Sequence, residues 1–249
     1  MSLLQTQILE TLSLLEVQSV TCGKIRIGGP HDGGYVMAND FEANQIAYSI
    51  GVGPQVQWDV EMAERGLVIH QYDHTVPGLP EEHPNFRYTP LGIAPDLLHP
   101  DLITLDEMLA RNGHATLSNM LLKIDVEGAE WDVFDSMDHA TLAKFDQIVV
   151  EFHGLEYLGM DTFRERCNRV FRKLNFHHVP VHIHANNYSA IHTLENIPVP
   201  GVVELSYCLR SRFTFTPSEE IFPTPLDQPC RAEAADIFLG RFKFKRQAA

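Results

Sequence analysis

The sequence predicts an α/β fold built around a parallel sheet, and three observations predict it. Short apolar runs alternate along the chain with segments of helical periodicity. The run Met120–Ile124 is apolar except for Lys123 and closes in Asp125, Glu127 and Gly128. A buried parallel strand that emerges into a loop reads this way. A second apolar run, AYSIGVG, leads into Gly51 and Gly53. A helical stretch and the strand Leu67–Tyr72 follow it, and Asp73 stands at the end, twenty positions after Gly53. Together these form a βαβ unit with glycines after its first strand and an acid after its second.

Composition bounds the rest. The 249 residues suffice for one large α/β domain with an ample core. Hydrophobic residues make up 44% and charged residues 21%, an ordinary globular mixture. The net charge of −14 repels a phosphate backbone and an anionic bilayer, so neither nucleic acid nor membrane is an expected partner. Cys22, Cys167, Cys208 and Cys230 form no CxxC pair, which suits reduced thiols in the cytoplasm better than a disulfide frame. The first residues lack a basic region and an uninterrupted apolar run, so no signal peptide is expected. No apolar stretch is long enough to cross a bilayer.

Taken in order, Leu3, Leu4, Ile8, Leu12 and Leu15 predict an amphipathic helix that covers the sheet or serves a partner, covering being the preferred role. The segment IRIGGPHDGGYVM follows. Its Asp32, Gly33 and Gly34 read either as an ordinary hairpin turn or as a loop whose backbone approaches a ligand closely. A helix containing Val56 to Ala63 lies between the strands of the βαβ unit. Phe86–Ile93 predicts a third strand. Leu102–Arg111 predicts a helix, with Thr104 as N-cap and Glu107 as its capping-box partner. A helix over about 129–137 follows the Asp125 strand, with Glu130 as a first-turn acid. Gln147–His153 predicts a fifth strand with Glu151 and His153 on one face, and Thr162–Leu174 an amphipathic helix.

In FHHVPVHIHANN the alternation places His178, His182, His184 and Asn186 on one face, and Pro180 marks an edge strand or a bulge. This face is either solvated or functional. Val202–Leu209 is the last predicted strand. The Pro-rich stretch from Pro217 to Pro229 predicts a surface loop, and RAEAADIFLGRF a final helix.

The run LLKIDVEGAEWDVF resembles the signature of the FkbM-like methyltransferases. GGPHDGGYVM, YSIGVG with YDHTV, VEFHGL, HIHANN and PGVVELSY are similar to segments of the branch containing the animal methyltransferase-like proteins. The resemblance spans about residues 25–210 and implies a Rossmann-like class I methyltransferase: a seven-stranded, mostly parallel sheet with helices on both faces and one antiparallel strand. It implies S-adenosylmethionine as cofactor, with Gly51 and Gly53 forming the first cofactor loop. Asp73 would take the ribose hydroxyls, and Asp125 would sit near the methionine end. Asp32, Gly33 and Gly34 are expected to border the same pocket. The N-terminal helix (about 1–20) and the Pro-rich extension (about 212–249) lie outside the match and belong to the same single domain.

The expected activity is O-methylation of a hydroxyl on a sugar or other small molecule. Alignment of the reactants is worth about 7–11 kcal/mol of barrier in such reactions. His153 is the preferred base. Asp125, His153 and His184 are expected to cluster, either as a polar catalytic group or as ligands of a divalent metal. Carboxylate with imidazole suits Mn²⁺, Fe²⁺ or Zn²⁺ better than Mg²⁺. The rival readings are an NAD-dependent oxidoreductase and a non-catalytic cofactor-binding module. Val56, where the dinucleotide fingerprint has its third glycine, argues against the oxidoreductase.

Overall fold

The computed structural model describes residues 1–244. Its centre is a sheet of seven strands: β1 (Ile46–Ile50), β2 (Val68–Tyr72), β3 (Phe86–Thr89), β4 (Met120–Ile124), β5 (Phe145–His153), β6 (His178–Ala185) and β7 (Val202–Leu209). They lie in the order β3-β2-β1-β4-β5-β7-β6. β7 alone runs antiparallel, to both β5 and β6. This is the Rossmann-like sheet that the resemblance implies. The strand order reverses between β1 and β4, and open α/β sheets take their ligands beside that switch point.

The sheet is buried on both sides, which is why its strands read as near-continuous apolar runs. Six α-helices among the described residues accompany it: α1 (Leu3–Ser13), α2 (Gln57–Glu64), α3 (Leu105–Arg111), α4 (Glu130–Ser136), α5 (His139–Leu142) and α6 (Asp161–His177). On one face Tyr48, Ile124, Val150 and Leu205 pack with Ile8 of α1, Met108 of α3, Phe134 of α4 and Phe171 of α6. On the other face Ala47, Leu121 and Val149 pack with Trp58 and Met62 of α2. Ile27, Tyr35 and Met37 join them from an antiparallel hairpin, Lys24–Ile27 with Tyr35–Ala38. The glycine-rich segment is therefore the tip of a hairpin, and that hairpin is also a wall of the core.

Several boundaries differ from the sequence expectation. The third strand stops at Thr89, because Pro90 has no N–H to continue the ladder, and Gly92–Ile93 pairs instead with Leu102–Ile103. Helix α3 therefore begins at Leu105. Thr104 caps it by accepting from Glu107 N at 3.2 Å, while the Glu107 carboxylate turns to Arg111 at 2.7 Å instead of closing the capping box.

Strand β6 is an edge strand, and its register with β7 shifts between Pro180 and His182. That bulge corrects the shared histidine face. His182 stands opposite Ser206 and His184 opposite Glu204, but His178 stands opposite Leu209 on the other side of the pleat. The His178 Nε2 meets Phe145 O at 2.8 Å. The strand is not solvated either, since His178, His182, His184 and Asn186 are all buried.

The cover is the C-terminal tail. Phe215–Pro217 pairs with Gln18–Val20, and the chain then crosses the sheet edge. The final helix expected over residues 231–242 is absent. Asn187 Nδ2 donates to the carbonyls of Arg231, Ala234 and Ala235, and Asn187 Oδ1 accepts from Arg231 N at 2.6 Å. The three carbonyls are groups that a helix would have paired internally, so tertiary contacts override the local propensity.

Phe222 anchors the tail. It is fully buried and meets the His182 ring edge-on at 5.3 Å. Phe222→Ala is expected to lower the unfolding free energy by roughly 3–5 kcal/mol in urea melts. A loss below about 1 kcal/mol would show that the tail lies on the core without being held by it.

Candidate active site

The carboxyl ends of β1, β2, β4 and β5 lie at one end of the sheet, where β2, β4 and β5 lead into Asp73, Asp125 and His153 and β1 into a glycine turn. After β1 the chain turns through Gly51 and Gly53, both at positive φ (77° and 57°). A Cβ on Gly51 would lie 1.6 Å from Asp125 O, so only glycine lets the β1 and β4 ends come this close. Asp125 N donates to Ile50 O at 3.0 Å, and Lys123 Nζ donates to Gly51 O at 3.0 Å. Nothing lies within 4 Å of a Cβ built on Gly53, so the loop faces open space there.

Asp73 fastens this loop. Its Oδ2 accepts from the N–H groups of Val52 and Gly53 at 3.0 Å each. Its Oδ1 accepts from Thr75 N at 2.7 Å and Thr75 Oγ1 at 2.6 Å. A carboxylate has about four acceptor sites, and all four are in use. The expected ribose-binding acid is thus first the residue that shapes the glycine turn, and a ribose hydroxyl would have to share or replace one of these bonds.

Asp125 and His153 come together as expected, and Glu127 joins them. Their ligand atoms lie within 4.8 Å of one another, so the three could hold a divalent ion. Asp125 Oδ1 is buried and has no hydrogen-bond partner. Burial pushes the Asp125 carboxyl above the usual range, against the opposing pull of Lys123 and His153.

His153 is fixed by Glu130. Glu130 Oε1 accepts from His153 N at 2.7 Å and lies 3.2 Å from His153 Nδ1, and its Oε2 accepts from Gly128 N at 2.8 Å. The other ring nitrogen, Nε2, lies 3.3 Å from Glu127. Burial lowers the His153 pKa, but the hydrogen bond and charge of Glu130, with Asp125 and Glu127, outweigh it and hold it above 6.5. The sequence marked Glu130 only as a first-turn acid. Its full burial against a residue 23 positions away has no signal in the local pattern.

His184 is not part of this group. It lies on β6, with Glu204 and Asp236 on its two ring nitrogens, and the expected Asp125–His153–His184 cluster does not assemble. The reason is the strand order. β7 separates β6 from β5, so the end of β6 is two strands away from His153.

Asp32, at the hairpin tip, belongs to a third group. Its carboxylate lies within 4.8 Å of those of Glu151 and Glu204. Burial, with Asp125, Glu204 and Asp32 adding their charge, pushes the Glu151 carboxyl well above its usual range. Gly33 holds positive φ (77°) beside Gln55. A Cβ on Gly34 would lie 2.4 Å from Gly29 O, so the loop folds tightly on itself.

The bonds to Asp73 outweigh its burial and depress its pKa, the Thr75 hydroxyl most of all and then the backbone N–H groups. The folded state therefore binds fewer protons there than the unfolded chain. The stabilisation is complete above the unfolded pKa of about 3.9 and drains away as pH falls below it. Wild type should exceed Asp73→Asn in stability at pH 7, with the gap closing below about pH 4. A gap independent of pH would show that the charge of Asp73 does not hold the loop.

Residues 40–189, well over half of the chain, match the family model described as the Methyltransferase FkbM domain. The match contains the Gly51 turn, Asp73, Asp125, Glu130 and His153. No curated protein matches the chain. A solved structure from Anabaena variabilis, described as a "putative methyltransferase from antibiotic biosynthesis pathway", shares 12% identity with a TM-score of 0.31. The alignment covers 57% of this chain and 60% of that one. The fold assignment rests on the strand order above and not on that likeness. With the glycine turn, the acid after β2 and the acid after β4 at neighbouring strand ends, and the family model spanning all three, the chain belongs to the FkbM-domain methyltransferases.

Proposed function

We propose that the protein is an S-adenosylmethionine-dependent O-methyltransferase acting on a hydroxyl of a sugar or another small molecule. The observation that carries this reading is the pairing of open space beside Gly53 with an unpartnered carboxylate oxygen on Asp125 next to His153. The glycine turn leaves room for a ligand against the backbone, and the Asp125–His153 pair provides polar groups at its far end. When bound, the cofactor supplies a methyl group on a sulfonium, ready for displacement by an oxygen nucleophile.

The residues of the chain do the rest. Asp73 holds the turn at Val52 and Gly53 in the shape that admits the cofactor. Asp125 Oδ1 is free to accept a hydrogen bond from a second polar group of the substrate and so orient it. With Nδ1 held by Glu130, the His153 Nε2 is the nitrogen that takes the hydroxyl proton. Transfer of that proton leaves the oxygen lone pair free for attack. Glu127 and Asp125 stabilise the imidazolium that results.

Asp73→Ala is expected to lower cofactor affinity at least tenfold, because the turn at Val52 and Gly53 loses its anchor and the bond the carboxylate would share with ribose, at roughly 1.5–3 kcal/mol, is lost as well. Calorimetry showing unchanged affinity in a folded variant would remove Asp73 from the site. His153→Ala should bind cofactor normally and lose roughly 10²- to 10⁴-fold in turnover, measured with labelled methyl groups against a panel of hydroxylated acceptors.

The pH profile follows from the raised His153 pKa. The base is protonated up to a pH above 6.5, so the rate should rise with pH through a midpoint above that value. Glu127→Gln removes one stabilising charge and should move the midpoint down. A flat profile, or full activity in His153→Ala, would leave His153 with a structural role only.

A further inference from the structure

His184 was expected beside Asp125 and lies elsewhere, among partners that suit a different task. It projects from β6 opposite Glu204 of β7, and Cys230 of the tail reaches the same point. All three are buried, and one ligand atom from each falls within 4.8 Å of the others. His184 Nδ1 is 2.9 Å from Glu204 Oε2 and 3.9 Å from Cys230 Sγ. Cys230 Sγ is 3.2 Å from Glu204 Oε1. An imidazole nitrogen, a carboxylate and a thiol from three separate segments thus point at one spot.

Two further features favour an ion there. The first is the other ring nitrogen of His184. Nε2 faces both oxygens of Asp236, at 2.9 and 3.1 Å. A histidine that ligates a metal through one nitrogen commonly gives the N–H of the other to a carboxylate, which fixes its tautomer and orientation. Asp236 is placed for that, leaving Nδ1 turned toward Glu204 and Cys230. The second is charge. Glu204 also belongs to the group with Asp32 and Glu151, and Glu151 stands directly opposite it in the ladder. Among the described residues no lysine or arginine pairs with Asp32, Glu151, Glu204 or Asp236. Glu151 and Glu204 are buried and Asp32 and Asp236 half-buried, and carboxylates so crowded require protons or a cation.

We propose that His184, Glu204 and Cys230 form a transition-metal site, best suited to Zn²⁺, with Asp236 as its orienting partner. Imidazole, carboxylate and thiolate together are a borderline-soft donor set of the kind that selects zinc over magnesium or calcium. On binding, the Cys230 thiol and the His184 Nδ1 position give up their protons to solvent, and the metal takes their place. The site joins β6, β7 and the tail, so it would clamp the tail over the sheet edge. It stands whether or not the protein transfers a methyl group.

Cobalt gives a test that does not need turnover. The full-length protein, stripped of metal and titrated with Co²⁺, should take up one equivalent at this site. It should show the near-ultraviolet thiolate-to-cobalt absorption together with the visible bands of a four-coordinate ion, water supplying the fourth ligand. Cys230→Ser, a small change, should abolish the thiolate band, while Cys22→Ser, at an exposed position, should leave it intact. Asp236→Asn should weaken cobalt binding by roughly 10- to 100-fold. Absence of stoichiometric cobalt uptake by the folded wild type would overturn the proposal and leave a metal-free hydrogen-bond network. So would a thiolate band that survives Cys230→Ser, or uptake lost with His153→Ala but unchanged in Cys230→Ser.

Discussion

The site depends on one close approach, that of the Gly51 backbone to the carbonyl of Asp125. A side chain of any size on Gly51 would occupy the space of that carbonyl. With glycine there, β1 and β4 stay hydrogen-bonded to their ends, through Asp125 N and Ile50 O, and the buried Lys123 ammonium binds Gly51 O. The strand order reverses between the same two strands. The turn after β1 and the acid after β4 are therefore held at a fixed separation. Gly51 N bonds to Tyr72 O, which extends the arrangement to β2 and brings Asp73 under the turn. Three strand ends are locked together before any ligand is considered, and a crevice so preorganised spends little ordering entropy on binding.

Glu130 plays the matching part on the other side of the crevice. As the first residue of α4 it lies where a negative charge is favoured by the helix dipole. Its burial would be costly if the charge were unpaired, but two backbone N–H groups and the His153 ring satisfy it. The same contacts tie the β4–α4 loop to the end of β5. Trp131 adds a bond from its indole N–H to His153 O at 2.8 Å, so consecutive residues of one helix grip both the side chain and the backbone of His153. A histidine held this firmly is suited to receiving a proton at one nitrogen without rotating.

The sheet's two faces divide the labour. The face under α1, α3, α4 and α6 is almost wholly apolar. The face under the hairpin and the tail carries Glu151, Glu204, Ser206, His182 and His184, and carboxylates accumulate toward its β6 edge. The acidic residues behind the formal net charge of −14 are thus not all on the surface, and several lie inside. The hairpin tip brings Asp32 into this concentration and the tail brings Asp227 and Asp236. The acidity that argues against nucleic-acid and membrane partners also shapes the interior of the molecule.

Most of the seven strands were legible in the sequence because a strand buried on both faces is apolar throughout and ends in polar residues where it leaves the core, and β6 was legible from its alternation. Gly51, Gly53, Asp73, Asp125 and His153 were legible for the same reason, as the residues that end those strands. The capping of α3 by Thr104 was equally local. What the sequence could not determine is what lies beside what across long separations. Glu130 reads as a helix acid until His153 is found against it. His178 reads as a neighbour of His182 until the bulge turns it over. Asp236 and Asn187 explain the missing last helix only through each other's surroundings, some fifty residues apart in sequence. His184 was placed beside Asp125 because both end strands, but β7 lies between β6 and β5. Local pattern follows from the chain's own steric and solvation preferences. The company each polar group keeps follows from strand order and from where the tail settles, and those are decided only when the whole chain packs.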